Sequence, residues 1–572
     1  MSESVVIQRP QRWDNPLDPD LSEEDIERMM ALDLFRSMDP DDFPPTASLR
    51  DIVRNDTRLI QYQRGDIVIR AGDYGTSAFV VVSGNLRVVL RPGLSDDILG
   101  RGTGHKKGIF GAFAQFWSNP SQPEVRDVSR YQDLANTGAR RTADEPRVYL
   151  KDVPEVLEQG HTVRIGTGEM FGEIAALARA SRTTTIFAED DAEVLEIRRQ
   201  GIRDVRRRVV SFREHIDRLY RERGLKAHLR ETPLFQALPI EVIDTISEKT
   251  LFETYGDFDW HTTYNRLIEL DSRERLAREP IIVREADYPD GLLLVRSGFA
   301  RVSREVNNGH QTVSYIGKGA MFGLEEIVHN WREQAEVGLR YSLRSVGYTD
   351  ILRVPTSLVE EYILPSISEH DLPPPVEPPK MALAPVEAVT TPSGIETSLL
   401  ENLVEYRLIN GTQTMLINLD RCVRCDSCVQ ACAMGHDNNP RFVRHGRRFD
   451  HYMVANACMH CADPVCMLGC PTGAIHRVRE GGQVAINDET CIGCATCATN
   501  CPYDNIRMVD IRDKSGNFVL DENTNAPIMK ATKCDLCFDQ PGGPACQRAC
   551  PHDALVRVNL NDLPSLVNWT NR

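Results

Sequence analysis

Residues 490–508 read TCIGCATCATNCPYDNIRM, and their four cysteines are separated by two, two and three residues, with a proline after the last. One other stretch repeats these intervals, and two more widen only the middle interval, to four and to eight residues. All 16 cysteines of the 572-residue chain belong to these stretches, and the first 421 residues contain none. The four quartets are Cys422, Cys425, Cys428 and Cys432; Cys458, Cys461, Cys466 and Cys470; Cys491, Cys494, Cys497 and Cys501; and Cys534, Cys537, Cys546 and Cys550.

Such quartets suit iron–sulfur clusters, since a cubane cluster needs four thiolates at the corners of a tetrahedron. Cysteines two residues apart on a tight loop reach three corners, and in ferredoxin-type runs the fourth cysteine, ahead of the proline, serves the partner cluster. The proline ends the loop because it fixes φ and cannot continue a helix. Zinc is the alternative for pairs of cysteines two residues apart, but a zinc site needs only two such pairs. The spacing therefore favours iron–sulfur clusters.

The N-terminus and the hydropathy of the chain predict a cytoplasmic protein. The first residues, MSESVVIQRPQRWDNPLDPD, contain neither an apolar signal segment nor a twin-arginine pair. The longest apolar runs, such as residues 78–82 and 292–295, are too short to span a bilayer. Attachment to the periphery of a membrane complex is the alternative location. A reducing cytosol disfavours disulfides, and the net charge of −16 disfavours a nucleic-acid partner.

The part of the chain without cysteines contains an internal repeat of about 150 residues. Residues 64–90 and 280–304 each consist of short β-branched strands separated by Gly, Asp or Pro, a pattern typical of a small antiparallel β-roll. Both copies continue into a Gly-x-x-Phe-Gly turn, at residues 168–172 and 319–323. A proline-rich stretch, residues 363–394, follows as a linker.

We therefore expect an α+β multidomain chain in which two β-rolls with helices precede a cysteine-rich domain. The predicted boundaries are an extension at 1–45, a first roll at 46–228 with an insertion at about 91–163, a second roll at 229–362, a proline-rich linker at 363–400 and the cysteine-rich domain at 401–565. Within the insertion, residues 109–117 read IFGAFAQFW. Local packing is the favoured interpretation of this apolar stretch, and a docking helix is the alternative.

The four cysteine motifs resemble those of polyferredoxin electron-transfer subunits. They read RCVRCDSCVQACAMGHDNN, CMHCADPVCMLGCPTGAI, TCIGCATCATNCPYDNIRM and ATKCDLCFDQPGGPACQRACPHDAL. Such subunits accompany molybdopterin oxidoreductases, among them dimethyl sulfoxide reductase, nitrate reductase and formate dehydrogenase, and some nickel–iron hydrogenases. The resemblance covers about 160 residues and implies a double ferredoxin-like domain with four [4Fe–4S] clusters, because no cysteine is replaced. Its implied partners are a catalytic oxidoreductase subunit and a redox donor or acceptor.

The same resemblance implies that ligands are crossed between motifs. Each cluster would take three cysteines from one motif and the fourth from another. The implied sets are Cys422, Cys425, Cys428 with Cys550; Cys534, Cys537, Cys546 with Cys432; Cys458, Cys461, Cys466 with Cys501; and Cys491, Cys494, Cys497 with Cys470.

Other polar residues near the motifs are expected to have supporting positions. Five histidines are expected at the surface or beside the ligands rather than as ligands: His436, His445, His460, His476 and His552. A basic run is interpreted as a solvated loop, with a dock for an acidic redox partner as the alternative: Arg441, Arg444, Arg447 and Arg448.

Residues 168–185 read GEMFGEIAALARASRTTT and resemble the phosphate-binding cassette of cyclic-nucleotide-binding domains. A turn at Gly172 that exposes backbone N–H groups at a helix start is a ready anion site, and the Arg182 guanidinium can pair with a cyclic phosphate through its fork. The resemblance implies that Glu173 accepts a hydrogen bond from the ribose hydroxyl. It also places Thr183 where kinases that prefer cyclic GMP carry Thr. The implied ligand of the first roll is cyclic AMP or cyclic GMP, and a structural or interaction role of the same roll is the alternative.

The second copy departs from this cassette at the phosphate-binding positions. Residues 319–327 read GAMFGLEEI, so Leu324 replaces the ribose-binding glutamate. Counting back from the last strand places Leu339 where Arg182 stands, with Arg340 one residue further on. Burying a cyclic phosphate beside leucine would be costly. We therefore expect the second roll to be a structural or partner-binding copy.

Together these features predict an iron–sulfur electron-transfer protein. Its cysteine-rich domain would relay electrons to or from a partner oxidoreductase, and the β-rolls would regulate or dock it. The alternative is a cyclic-nucleotide or redox sensor that controls partner interactions. The sequence shows no helix-turn-helix segment after either roll and no catalytic constellation. We therefore expect neither a transcription factor nor a self-contained enzyme; a homo-oligomer is an alternative to a monomer.

Overall fold

The structure is a computed structural model of the chain. It describes residues 16–73, 75, 77–91, 94, 98–99, 101, 119–126, 139–141, 146–150, 153–159, 161–178, 181–220, 225–306, 309–368, 370, 372–374, 396–468, 470, 474–478, 482–489, 491–520, 526–540 and 542–570. The chain divides into two compact units. The first comprises residues 1–99 and 138–224, and the second comprises residues 100–137 and 225–572. Within the described ranges the longest helix has 11 residues, and none is long and apolar enough to cross a membrane.

The first unit contains the first β-roll, built from two four-stranded antiparallel sheets. In spatial order, one sheet comprises Thr57–Tyr62, Ala192–Arg198, Ser77–Ser83 and Met170–Phe171, and the other Ile67–Ile69, Thr185–Ala188, Leu86–Arg91 and His161–Ile165. A short hairpin joins Ala139–Arg141 to Pro146–Val148. The helices are Glu23–Met30, Asp33–Arg36, Leu49–Asp56, Val153–Gln159, Glu173–Ala178, Arg199–Arg208 and Val210–Tyr220, with a 3₁₀ turn at Pro40–Asp42.

Helix Glu23–Met30 belongs to the core of this first roll. It begins at a capping box in which Ser22 and Asp25 each accept a backbone N–H of the other, a device that satisfies two of the unpaired donors at a helix start. Its buried residues Ile26 and Met29 share one apolar cluster with strand residues of the roll. Part of the stretch predicted as an N-terminal extension therefore contributes to the core of the roll.

The second unit contains the second β-roll and the cysteine-rich domain. The six strands of the second roll form one antiparallel sheet around the long strands Gly291–Val306 and Ser342–Pro355. The other four are Leu251–Gly256, Ile281–Val283, Gly309–Gly317 and Met321–Phe322. Its helices are Lys226–Glu231, Ile240–Lys249, Trp260–Ile268, Ser272–Arg278, Leu324–Glu333 and Thr356–Leu358, with a π turn at Val359–Ile363 and 3₁₀ turns at Pro233–Phe235 and Leu364–Ser366.

The cysteine-rich domain is organised around a four-stranded antiparallel sheet and two hairpins. In spatial order the sheet comprises Val443–Phe449, Tyr452–Asn456, Thr414–Asn418 and Leu555–Val558. The hairpins pair Ile475–Arg477 with Val484–Ile486 and Arg507–Asp510 with Met529–Thr532. The helices are Thr397–Glu405, Ser427–Gly435, Thr496–Thr499, Ala545–Arg548 and Leu563–Thr570, with 3₁₀ turns at Leu408–Asn410 and Val465–Met467. The α+β multidomain fold expected from the sequence is confirmed.

The second roll packs directly against the cysteine-rich domain. Phe299 and Tyr315 of the roll share one buried apolar cluster with Leu400 and Leu403 of helix Thr397–Glu405. Leu400 is the last residue of the linker predicted at 363–400, in which residues 369, 371 and 375–395 lie outside the described part of the chain. The roll and the cysteine-rich domain are therefore parts of one compact unit.

A tryptophan at the start of helix Trp260–Ile268 anchors this packing. Its Nε1–H donates to a carboxylate oxygen of Asp463 at 3.2 Å, and the guanidinium of Arg407 lies 3.5 Å from the centre of its ring. Gly347 leaves room for this guanidinium, because a Cβ added there would collide with it. Asp463 stands between two cysteines of the second motif, so the second roll supports that cysteine loop directly.

One described stretch of the insertion, residues 119–126, also packs on the cysteine-rich domain. We call it the insertion segment. Glu124 donates its backbone N–H to Asn439 Oδ1 at 2.9 Å, and the side chain of Asn438 donates to the Pro120 carbonyl at 2.7 Å. Two backbone hydrogen bonds join the segment to Arg512, whose N–H donates to the Glu124 carbonyl and whose carbonyl accepts the Arg126 N–H. The apolar residues 109–117, for which local packing was predicted, lie outside the described residues.

We expect hydrogen exchange to report this contact. Asn439→Ala removes one hydrogen bond to the segment, worth about 1 kcal/mol, and should speed exchange at Glu124 about fivefold. The measurement is exchange mass spectrometry on a peptide that covers residues 119–126. Asn500→Ala is the matched control, because its amide donates to Leu468, outside the segment. Exchange of the wild-type peptide at the rate of an unfolded chain would contradict the contact.

Candidate iron–sulfur centres

The loops of the first and third motifs use the same backbone device. Positive φ angles occur on either side of the second cysteine, at Arg424 (59°) and Asp426 (61°) in the first motif and at Gly493 (74°) and Ala495 (63°) in the third. Left-handed residues are uncommon outside glycine, and two of them so close together curl each loop tightly. A Cβ on Gly493 would lie 2.1 Å from the Met529 carbonyl oxygen, so only glycine fits there.

A helix begins directly after each of these curled loops. Helix Ser427–Gly435 follows the first and carries the third and fourth cysteines of its motif. Helix Thr496–Thr499 follows the third and carries Cys497. The loop and the helix start thus place three cysteines close together, while the fourth is carried away along the chain toward another motif.

The structure brings together the four crossed sets of cysteines. Two cavities each hold one set: Cys422, Cys425, Cys428 and Cys550 line the first, and Cys470, Cys491, Cys494 and Cys497 line the second. The other two sets are close enough for their charges to interact. They are Cys458, Cys461, Cys466 with Cys501, and Cys534, Cys537, Cys546 with Cys432.

The chemistry of these donor sets fits a positively charged metal core. Burial, followed by the charge of neighbouring cysteines, raises the pKa of Cys497 and of Cys546 to about 12. Burial likewise raises the pKa of Cys461 and Cys466 well above the usual range. Thiols packed this closely resist ionisation without a cation, because each thiolate repels the next. A bound metal reverses this order and holds a coordinating thiol as the thiolate.

Two buried nitrogen atoms beside the sets also fit such a core. The His460 ring accepts the Val484 backbone N–H at Nδ1, 3.0 Å away, so its proton resides on Nε2. Among the described residues, neither His460 Nε2 nor Arg557 Nε has a hydrogen-bond partner. A buried donor without an acceptor is destabilising by about 1–3 kcal/mol. The sulfur atoms of an iron–sulfur cluster are acceptors of the kind that both donors lack.

The five histidines near the motifs occupy different environments. His445 and His552 are exposed, and His436, His460 and His476 are buried. His436 contacts Asp535 at 3.0 Å and the Cys432 carbonyl at 2.7 Å. Burial opposes protonation of His436, but hydrogen bonds with the side chains of Asp535, Cys432 and Cys537 outweigh it and raise its pKa. His436 therefore holds two motifs together at the edge of a cysteine set.

Most of the basic run has partners within the domain. Arg444 pairs with Asp426 at 2.7 Å, Arg441 donates to the Thr532 hydroxyl, and the guanidinium of Arg447 lies 3.4 Å from the ring centre of Tyr406. Arg448 is exposed. These contacts occupy three of the four arginines, and docking to an acidic partner remains a prediction.

The cassette of the first roll gathers three of its four predicted residues. Gly172 has a φ of 77°, and the buried Arg182 donates to the backbone carbonyls of Gly172 and Ser77. Burial lowers the pKa of Arg182 to about 10, against the nearby charges of Asp73 and Glu173, so its guanidinium stays charged at neutral pH. Glu173 is buried beside it, whereas Thr183 is exposed.

In the second roll, Leu339 occupies the position equivalent to Arg182 of the first roll. Leu339 accepts the Ala286 N–H and donates its own to Asp287, as Arg182 does with Gly72 and Asp73 in the first roll. Its side chain reaches the left-handed glycine of the turn, where a Cβ on Gly323 would lie 3.6 Å from it. The structure thus places leucine at the position equivalent to Arg182.

The next residue of the second roll does not restore the missing arginine. Arg340 pairs with Glu326 at 2.9 Å and with Glu325. Its charge is therefore engaged by two carboxylates at the start of helix Leu324–Glu333.

Sequence reasoning missed the contribution of Arg557 to the cysteine sets. Arg557 donates to Cys534 Sγ at 3.0 Å and to the Cys458 carbonyl at 3.1 Å. The signal was present as a repeat, because Arg557 stands seven residues after Cys550 as Arg477 stands seven residues after Cys470. The role of Trp260 left no such signal, since its partner Asp463 lies 203 residues away in sequence.

Comparison with known proteins finds two domain families in this chain. A family model described as a 4Fe-4S dicluster domain matches residues 449–559, and one described as a cyclic nucleotide-binding domain matches residues 153–208 and 273–364. The chain is 35% identical over 164 residues to the electron transport protein HydN of Escherichia coli (strain K12), which covers 27% of this chain and 91% of HydN.

Two subunits of reductases are also similar. A subunit of the anaerobic dimethyl sulfoxide reductase of Haemophilus influenzae is 32% identical over 166 residues, covering 25% of this chain and 72% of that protein. The arsenate respiratory reductase iron-sulfur subunit ArrB of Shewanella sp. (strain ANA-3) is 29% identical over 203 residues, covering 27% of this chain and 84% of that protein.

Proposed function

Because the chain belongs to the family of iron–sulfur electron-transport proteins with a 4Fe-4S dicluster domain, we propose that it relays electrons through four [4Fe–4S] clusters between a catalytic oxidoreductase subunit and a second redox partner. The four crossed cysteine sets are the observation that carries this proposal. The partner class follows from relatives named as subunits of reductases. A molybdopterin enzyme or a nickel–iron hydrogenase is the kind of partner we infer.

The cysteines differ in exposure, so the proposed relay has two inner clusters and two outer clusters. Cys425 and Cys494 are exposed, and each belongs to a different set. The two other sets contain the buried Cys458, Cys534 and Cys546. Bound clusters supply one-electron redox chemistry. Each outer set contains one exposed cysteine and neither inner set contains any, so the partners would exchange electrons near Cys425 and Cys494.

Metal analysis tests this proposal. We expect about 16 irons and about 16 acid-labile sulfides per chain when the protein is purified without oxygen, because four cubane clusters carry four of each. The measurement is elemental analysis together with a sulfide assay on the full chain. About four irons, or zinc in place of iron, would contradict the relay.

We also propose that the first roll binds cyclic AMP or cyclic GMP. Support comes from the match to the cyclic nucleotide-binding family and from the position of Arg182 beside Gly172 and Glu173. Binding would transfer the Arg182 N–H groups from the carbonyls of Gly172 and Ser77 to the phosphate. The contact of the insertion segment with the cysteine-rich domain favours a regulatory role for this roll, and a sensor is therefore the second candidate function.

Calorimetry with both nucleotides tests the cassette. Arg182→Ala should weaken binding at least tenfold, since a hydrogen bond to a charged group is worth about 1.5–3 kcal/mol. Arg340→Ala, in the second roll, removes an arginine that pairs with Glu326 and should leave binding unchanged. If the wild-type chain binds neither nucleotide, or Arg182→Ala binds as well as wild type, the first roll is not a nucleotide receptor.

A further inference from the structure

One guanidinium lies between two of the cysteine sets. Arg557, on strand Leu555–Val558, donates to Cys534 Sγ at 3.0 Å and to the backbone carbonyl of Cys458 at 3.1 Å. A third hydrogen bond, 2.9 Å long, reaches the carbonyl of Gln413. The same side chain thus contacts a cysteine of the fourth motif and a cysteine of the second motif, which belong to different inner sets.

The charge of Arg557 faces sulfur rather than carboxylate. An arginine side chain stays protonated in proteins, and this one donates to Cys534 Sγ. Its Nε is buried and has no hydrogen-bond partner among the described residues. A permanent positive charge with a spare donor therefore lies at the junction of the two inner sets.

The repeated arginine of the other module has a different role. Arg477 donates to the carbonyls of Cys461 and Gly482, and so it fixes the backbone of the second motif. Arg557 adds a bond to a sulfur atom that would be a thiolate ligand. Two arginines at repeat-equivalent positions therefore differ in whether they touch the ligand sulfur.

Hydrogen bonds to sulfur and nearby positive charge favour the reduced state of a cluster, because reduction adds negative charge. We propose that Arg557 raises the reduction potential of the cluster held by Cys534, Cys537, Cys546 and Cys432, and that it links this cluster to its inner neighbour through the Cys458 loop. This inference rests on the proposed relay. Arg557 then sets the difference in reduction potential between the two inner clusters.

Potentiometric titration of the full chain, followed by electron paramagnetic resonance, tests this role. Arg557→Gln removes the charge, and we expect one cluster to need a potential at least 59 mV lower, a tenfold change in its ratio of reduced to oxidised form at fixed potential. Arg557→Lys keeps the charge and should shift the potential less. Arg548→Gln is the control, because Arg548 is exposed two residues after Cys546 and should shift nothing.

Iron content separates the possible outcomes. Unchanged potentials in Arg557→Gln at full iron content would overturn the role of Arg557 and leave the relay standing, as would an equal shift in Arg548→Gln. If Arg557→Gln binds less iron, the uncharged variant Arg557→Met takes its place, and an unshifted potential there at full iron content overturns the role. A wild-type chain without about 16 irons would instead contradict the relay itself.

Discussion

Replacing Cys470 by alanine should remove the same cluster as replacing Cys494, although the two residues belong to different motifs. Both line one cavity together with Cys491 and Cys497. Either single variant is expected to fall from about 16 to about 12 irons per chain, since each loses one four-iron cluster. Because the double variant Cys470→Ala/Cys494→Ala loses nothing further, it should also retain about 12 irons.

The matched control is a double variant within one motif. Cys470→Ala/Cys461→Ala places its two changes in the second motif but in two different crossed sets, so it should retain only about 8 irons. Iron analysis and the integrated signal of the reduced clusters measure both doubles. If the within-motif double keeps about 12 irons and the between-motif double keeps about 8, ligation is not crossed.

The grouping of the cysteines could be predicted because the intervals within each quartet are short and because the quartets resemble those of polyferredoxin subunits. The intervals in each quartet are local, and the two resemblances, to ferredoxin-type subunits and to cyclic-nucleotide-binding domains, are confirmed by the family matches. The alignment of the second roll with the first was predictable for the same reason. Counting back from one strand placed Leu339 opposite Arg182, and the backbone hydrogen bonds of both residues agree with that count.

The contacts that sequence could not predict join residues far apart in the chain. Glu124 and Asn439 are separated by 315 residues, and nothing in the insertion indicates that it packs on the cysteine-rich domain. The stacking of Arg407 on Trp260 depends on Gly347 as well. Such contacts form where elements distant in sequence pack together, and the hydrophobic periodicity of a single segment carries no information about them.

The second roll lacks the cassette arginine and packs on the cysteine-rich domain. Leu339 stands at the position equivalent to Arg182, while Trp260 of the same roll supports the loop of the second motif through Asp463. The hydrogen bond from Trp260 to Asp463 and the shared apolar cluster hold the roll and the cysteine-rich domain in one compact unit. Because Trp260 bonds Asp463, which stands between Cys461 and Cys466, a substitution that destabilises the roll should also destabilise the cysteine set that contains these two residues.

Trp260→Ala should therefore destabilise the cysteine-rich domain as well as the roll. The side chain is fully buried, and removing a buried tryptophan costs about 3–5 kcal/mol. The variant also leaves the Asp463 carboxylate without the indole N–H and takes the ring away from the Arg407 guanidinium. We expect a large fall in the free energy of unfolding in urea and faster loss of iron to a chelator, both followed by the visible absorbance of the clusters.

Two variants distinguish support of the motif from general damage to the roll. Trp260→Phe keeps a ring beneath Arg407 but removes the hydrogen bond to Asp463, so its cost should be only about 1–3 kcal/mol. Trp331→Ala changes a partly buried tryptophan on helix Leu324–Glu333 of the same roll, and its iron should leave at the wild-type rate. Equal rates of iron loss in Trp260→Ala and Trp331→Ala would show that Trp260 stabilises the roll alone, because only Trp260 of the two contacts a residue between two cysteines of the second motif.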